Sequence, residues 1–187
     1  FEIPDNIDFT LNSTFAKLIY DDLELQNING TILVKDQKAE LKNLKFNILD
    51  GDMTLNGFYS SKNILPNIAF GVKINQMDVQ KTWKSFEIVK KFAPIAENAK
   101  GKFSAGFNLS ADINKDLTPK LETVNSSGSI STKSISVIGS QTMAKIASET
   151  KLAAFKQLNL KNIALKFEIK DGKLSTDPFT LKFNDIK

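Results

Sequence analysis

One β-hairpin phrase occurs twice in this chain, about 120 residues apart, and no other feature constrains the fold as tightly. The early copy reads Leu41-Lys42-Asn43-Leu44-Lys45-Phe46-Asn47-Ile48-Leu49-Asp50-Gly51. The late copy reads Leu160-Lys161-Asn162-Ile163-Ala164-Leu165-Lys166-Phe167-Glu168-Ile169-Lys170-Asp171-Gly172. A weaker echo, Leu25-Gln26-Asn27-Ile28, leads into the strand that ends at Val34-Lys35-Asp36. Each full copy is an alternating strand that meets Asp-Gly, a dipeptide that readily takes positive φ at both centres of a tight hairpin turn. A chain that reuses one strand-turn-strand unit builds an extended sheet more readily than a catalytic pocket.

Period-two alternation recurs outside the repeat. Ile7, Phe9 and Leu11 alternate with Asp8, Thr10 and Asn12, and Ile68, Phe70, Val72 and Ile74 fall on one face of the segment from Asn67 to Asn75. The clearest strand runs from Lys102 to Ile113, with Phe103, Ala105, Phe107, Leu109, Ala111 and Ile113 facing one way. At about 3.3 Å per residue it spans roughly 40 Å, long for a globular strand. Phe179, Leu181 and Phe183 repeat the pattern near the C-terminus. One apolar and one polar face per strand predicts an antiparallel sheet solvated on one side. Compact loops are expected at Ser60–Asn63, Asn114–Pro119 and Ser126-Ser127-Gly128.

Two stretches break the period. Val79, Trp83, Phe86, Val89 and Phe92 form a single stripe at helical spacing, with Asp78 as N-cap and Pro94 as terminator. Trp83, mid-stripe, reads as a core anchor, with a membrane-interface role as the alternative. The stretch from Ser140 to about Phe155, with Met143, Ile146, Ala147 and Leu152, reads as a helix with a break. The expected fold is therefore mainly β: a long, curved, groove-like antiparallel sheet with two amphipathic helical segments. Two helices are little cover for so long an apolar face. Either the sheet bends over and the helices plug it, or part of the face meets something apolar outside this sequence.

Composition removes most chemistry. The 187 residues include no His, no Cys and no Arg, so all 25 basic residues are Lys. Without His the commonest general base and metal ligand is missing; without Cys there are no thiolates or disulfides; without Arg there is no bidentate phosphate clamp. Asp50, Asp52, Asp171 and Asp177 sit near turns but lack the ligand spacing of a calcium loop. Ser126-Ser127-Gly128-Ser129 has neither the nucleophile-elbow pattern nor a His to activate a serine. The reading is a protein without catalytic residues, metal or cofactor. A net charge of +4 carried by scattered lysines fits a solvated sheet face with some attraction to anionic lipid, and does not fit nucleic acid, which wants clustered Lys and Arg among aromatics. No apolar run is long enough to span a bilayer, and the opening Phe1-Glu2-Ile3-Pro4 has no start Met. The expectation is a single region, residues 1–187, excised from a longer protein.

Over nearly its whole length the chain resembles the C-terminal region of the AsmA family, in particular its Bacteroidetes-type members. The phrases that carry the resemblance are Asp8-Phe9-Thr10-Leu11-Asn12, the strand pair from Leu44 to Gly57, and Ile74-Asn75-Gln76-Met77-Asp78-Val79-Gln80-Lys81. They continue with Phe92-Ala93-Pro94-Ile95-Ala96-Glu97-Asn98-Ala99-Lys100-Gly101-Lys102-Phe103, Asp116-Leu117-Thr118-Pro119, Gly128-Ser129-Ile130 and Leu160 through Asp177-Pro178-Phe179. The resemblance implies an envelope protein tethered to the inner membrane, extending into the periplasm, and moving phospholipid or supporting outer-membrane assembly. It carries no catalytic residues. A lipid conduit needs a continuous apolar floor, and each buried methylene contributes about 0.8 kcal/mol. The candidate floor residues are Ile68, Phe70, Val72, Phe103, Phe107, Leu109, Leu165, Phe167, Phe179, Leu181 and Phe183. The partners expected are phospholipid or another acyl lipid, with envelope proteins as secondary candidates. The competing reading is a structural β module whose core is fully covered and whose edges pair with neighbouring repeats or a partner protein.

Overall fold

The computed structural model describes residues 2–151 and 157–178, with only the backbone at Thr142. The described residues form nine strands: β1 (Asp8–Tyr20), β2 (Leu23–Lys35), β3 (Lys38–Ile48), β4 (Gly51–Ser60), β5 (Asn67–Asp78), β6 (Ala99–Asp112), β7 (Asn125–Ile138), β8 (Gln157–Lys170) and β9 (Lys173–Thr176). They make one open sheet in which every strand pairs antiparallel with its neighbour in sequence. The mainly β, antiparallel expectation holds. Three helices accompany the sheet: α1 (Val79–Ser85) and α2 (Glu87–Phe92) between β5 and β6, and α3 (Gln141–Thr150) between β7 and β8. Short 3-10 turns occupy Pro94–Asn98 and Leu121–Thr123.

The register lines apolar side chains into rows that cross the sheet. One row passes through Leu44, Leu55, Val72, Phe107, Gly128 and Phe167; a second through Phe46, Met53, Ile74, Ala105, Ile130 and Leu165. A third runs through Leu11, Ile32, Leu41, Gly57, Phe70, Leu109, Ser126 and Ile169. Paired residues of an antiparallel sheet share a face, so these rows make one apolar surface. The opposite face carries the lysines, asparagines and serines between them.

The repeated phrase has a second structural meaning. Its third residue adopts the left-handed conformation: φ is 52° at Asn27, 49° at Asn43 and 51° at Asn162, with Gln76 of Ile74-Asn75-Gln76-Met77 at 51°. Register shifts fall at Asn27, Asn43 and Gln76, so each is an extra residue inserted into its strand. The insertion keeps Leu41 and Leu44, three apart, on the same face and bends the strand. Asn is among the residues that take this backbone most readily. Cross-strand bonds hold two of the bulges: Asn27 Nδ2 donates to Asn47 Oδ1 at 2.7 Å, and the Asn43 backbone N–H donates to Asn56 Oδ1 at 2.8 Å.

The turn after the late copy is as expected, with Asp171 and Gly172 at φ 49° and 71°. The early copy differs by one residue. Its turn centres are Leu49 and Asp50, at φ 50° and 61°, while Gly51 is already paired with Ile48. Packing decides this. A β-carbon at position 51 would lie 2.6 Å from the Cα of Met77, so glycine is needed beside the β5 bulge and not in the turn.

Asp78 caps α1 as expected, its carboxylate accepting from the Lys81 N–H at 2.7 Å. The single stripe of residues 79–92 is cut in two, because Phe86 is extended (φ −123°, ψ 112°). The second helical segment starts from its Ser140 cap and stops at Lys151, which is left-handed at φ 58°; Leu152 and Phe155 lie outside the described residues. The loop expected at Ser126-Ser127-Gly128 is instead the start of β7. Gly128 marks a place where β6 comes too close for a side chain, not a turn.

Candidate functional site

Eight of the eleven candidate floor residues fall on the described part of the sheet: Ile68, Phe70, Val72, Phe103, Phe107, Leu109, Leu165 and Phe167, all on the apolar face. Phe179, Leu181 and Phe183 lie outside the described residues. Val72 is buried and the other seven are half-buried. Their rows are continuous, so the sequence rule that selected them did group residues that meet.

What meets them from above is the helical connection. Val79, Ala96 and Ala99 pack with Val137 and Leu158, with Trp83, Phe103 and Met143 against them, at the end of the sheet where Tyr20 lies. Phe86, released by the break between α1 and α2, reaches the cluster of Ile28, Phe46, Ile48 and Met77. Ile88 and Phe92 of α2 join Ile68, Leu109 and Phe167 around Ala111, Val124 and Ile169. One kinked helical arm thus serves three clusters, and the break at Phe86 is what lets it spread across the face.

The cover ends before β1. Phe9, Leu11, Phe15, Leu18 and Tyr20 pair with Val34, Ile32, Ile28, Leu25 and Leu23 and so lie on the same apolar face. They remain 41–65% exposed. The strand is a sheet edge 13 residues long, and residues 9–16 carry no charge. The charges that flank this margin are paired on the strand. Lys17 Nζ lies 2.5 Å from the Glu24 carboxylate, and Lys35 Nζ 2.7 Å from Asp8. The Lys17 ammonium, helped by the Gln26 amide, holds Glu24 below the ordinary carboxylate range, and Asp8 raises Lys35. Sequence reasoning missed this margin as a site because alternation reports which residues share a face and not which strand is left without a neighbour. The available signal was that a meander leaves its first strand at an edge.

The concavities lie elsewhere. A trough of about 700 Å³ crosses β4 to β8 on the polar face, where Asn56, Gly71, Asn108, Ser127 and Glu168 line it. Phe58, Ala69 and the candidate floor residues Phe70 and Leu109 line it as well, so its lining mixes apolar groups with these amides and hydroxyls. A second concavity, of about 460 Å³, holds Asp22, Glu24, Asn47, Asp50, Asp52 and Lys81 around the early hairpin. There Lys81 Nζ sits 2.6 Å from Asp50 and Lys102 Nζ donates to the Asp50 carbonyl at 2.7 Å. Hydrogen bonding to Lys81 holds the Asp50 carboxyl below its ordinary range and raises Lys81 in turn. This group locks the hairpin onto α1.

Comparison of the chain with protein-family models, with curated proteins and with solved structures finds no match.

Proposed function

We propose that this chain is a non-catalytic lipid-binding or lipid-guiding module, with an acyl chain lying along the open β1 margin of its apolar face. One observation carries the reading. Five apolar side chains on β1 stand 41–65% exposed, beyond the reach of the helical arm, beside a continuous half-buried apolar surface. Isolated exposed apolar residues need no explanation, whereas a contiguous strip of them marks an interaction surface. The resemblance to the AsmA family adds the setting: a periplasmic region tethered to the inner membrane and serving phospholipid transport and outer-membrane assembly. The helices bear on the mechanism. By filling the centre of the face they confine bound lipid to the margin, where its headgroup keeps contact with water.

The test is native mass spectrometry of the chain purified from bacterial cells, followed by solvent extraction and lipid analysis. Co-purified phospholipid that disappears in Phe15→Asp, with the melting temperature unchanged, supports the reading. A lipid-free monomer with no affinity for phospholipid or fatty acid overturns it.

A second reading is favoured by the same strand's backbone. An edge of this length, uncharged over residues 9–16 and without proline, is a template for another strand. On that reading the chain is a structural β module whose covered core is permanent and whose β1 edge pairs with a protein strand. Asn12→Pro, which removes an edge backbone donor, separates the two readings: it abolishes strand pairing and leaves acyl binding in place.

A further inference from the structure

The loops at the Asp8 end of the sheet carry apolar side chains that the core does not use. Between β4 and β5, Ile64 is 102% exposed and Leu65 48%. That loop is anchored on both sides: the Ser61 N–H donates to the Gln37 carbonyl at 2.9 Å, and the Pro66 carbonyl accepts from the Ile113 N–H at 2.8 Å. The second bond ties it to the β6–β7 loop, where Leu117 sits at φ 65° and is 49% exposed. A leucine in the left-handed region is strained, where asparagine or glycine would be at ease. The turn around it is nonetheless tightly held. The Asn114 N–H donates to the Thr118 carbonyl at 2.9 Å, and the Thr118 N–H and hydroxyl donate to Asp116 Oδ1 at 3.0 and 2.6 Å. Strain spent on holding an exposed apolar side chain is a pointer to use. Lys62 and Lys115 flank these side chains, and neither forms an ion pair among the described residues.

We propose that this end of the sheet docks on an anionic lipid bilayer, with Ile64, Leu65 and Leu117 entering the boundary between headgroups and acyl chains and Lys62 and Lys115 meeting lipid phosphates. Three side chains on two protruding loops are far less than the roughly 1,000 Å² a protein partner needs, but they suit shallow insertion into an interface that moulds itself around them. The unpaired lysines supply attraction to negative headgroups. Asp116 keeps its negative charge, held ionised by the Thr118 hydrogen bonds, and so reduces the attraction without matching the two lysines. The inference concerns docking and stands apart from the acyl-binding reading of the β1 margin.

The experiment is flotation of the full chain with vesicles of equal parts phosphatidylglycerol and phosphatidylethanolamine, and with neutral phosphatidylcholine vesicles. The unmodified chain floats with the anionic vesicles and less with the neutral ones. Replacing Ile64, Leu65 and Leu117 by Ser together weakens binding to both vesicles by roughly tenfold or more. Ile64→Ser alone, at a fully exposed position, gives a smaller loss in a chain whose fold is not in question. Lys62→Glu with Lys115→Glu weakens anionic binding only. All these variants keep whatever lipid co-purifies with the chain, whereas Phe15→Asp loses that lipid and still floats. Absence of flotation with either vesicle, or equal flotation of the serine variants, overturns the proposal. So does a photo-cross-linker at position 64 that captures protein in cells and no lipid.

Discussion

Phe107 on β6 and Phe167 on β8 meet edge to face, centroids 6.0 Å apart, across a strand that lies between them. They can do so because β7 presents Gly128 at that register. A β-carbon on Gly128 would lie 2.3 Å from the Phe107 Cβ. Gly128→Ala therefore forces the β6 and β7 backbones apart, at about 1–3 kcal/mol, read as a lowered melting temperature. A double-mutant cycle of Phe107→Leu and Phe167→Leu returns a coupling of about 0.5–1.5 kcal/mol. Independence of the two substitutions would mean that the rings share a face without sharing an interaction.

The Asn43 bulge makes a separate prediction. At φ 49° a β-branched side chain is badly accommodated and glycine is not. Asn43→Val is expected to destabilise by about 1–3 kcal/mol, and Asn43→Gly by much less, in chemical denaturation. Equal losses would locate the role of Asn43 in its side-chain amide and not in its backbone.

Trp83 is half-buried among the residues of the helical arm, and its indole N–H, removed from solvent, has no acceptor among the described residues. Trp83→Phe deletes an unsatisfied donor and keeps most of the ring, so stability changes by less than about 1 kcal/mol or rises. Trp83→Ala opens a cavity and costs about 3 kcal/mol or somewhat more. Thermal melts of the two variants distinguish a packing anchor from a polar contact.

Acid and base act on the lock between the early hairpin and α1. Asp50 is held below the ordinary aspartate range by Lys81, so the stability it contributes is present above its unfolded-state pKa, about 4, and is lost as pH falls through the lower folded value. Lys81 is raised by Asp50, so its contribution is complete below about pH 10 and is lost as pH climbs through the higher folded value. Asp50→Asn removes the acid dependence and reduces the alkaline one, to which Asp78 also contributes. The check is the stability of the two proteins across pH, where parallel curves would refute the assignment. Both groups are fully exposed, so the expected difference is small and shrinks with salt.

At the β1 margin, Leu11→Asp and Phe15→Asp place charges where the side chains already face water. Stability is expected to change by roughly 0.5 kcal/mol or less, while acyl binding is lost. Phe107→Asp would place a carboxylate against Phe167 on the half-buried part of the face and destabilise the sheet there, so it does not test binding. Circular dichroism melts run beside lipid extraction separate the two outcomes.

Much of this architecture was legible residue by residue. Alternation from Lys102 to Ile113 located β6 and its apolar face, Asp78 and Pro94 bounded the helical stretch, and Asp171-Gly172 marked a hairpin. Ser126-Ser127-Gly128 misled because serine and glycine favour turns, whereas here they are strand residues and Gly128 clears space between Phe107 and Phe167. The break at Phe86 was hidden because its apolar spacing continues the helical stripe even though its backbone leaves the helix.

The amino-acid order alone determined what acts over a few residues: the period of two, the identities that share a face, the caps and the late turn. Local sterics and hydrogen bonding are sufficient for these. Only the tertiary structure decided that Asn27, Asn43 and Gln76 are bulges that bend the sheet, that Gly51 belongs beside Met77, and that the helical arm buries the centre of the apolar face while leaving β1 open. These outcomes depend on which strands become neighbours and where a kinked helix comes to rest. Burial is set by the whole assembly of rows, and no single segment carries that information.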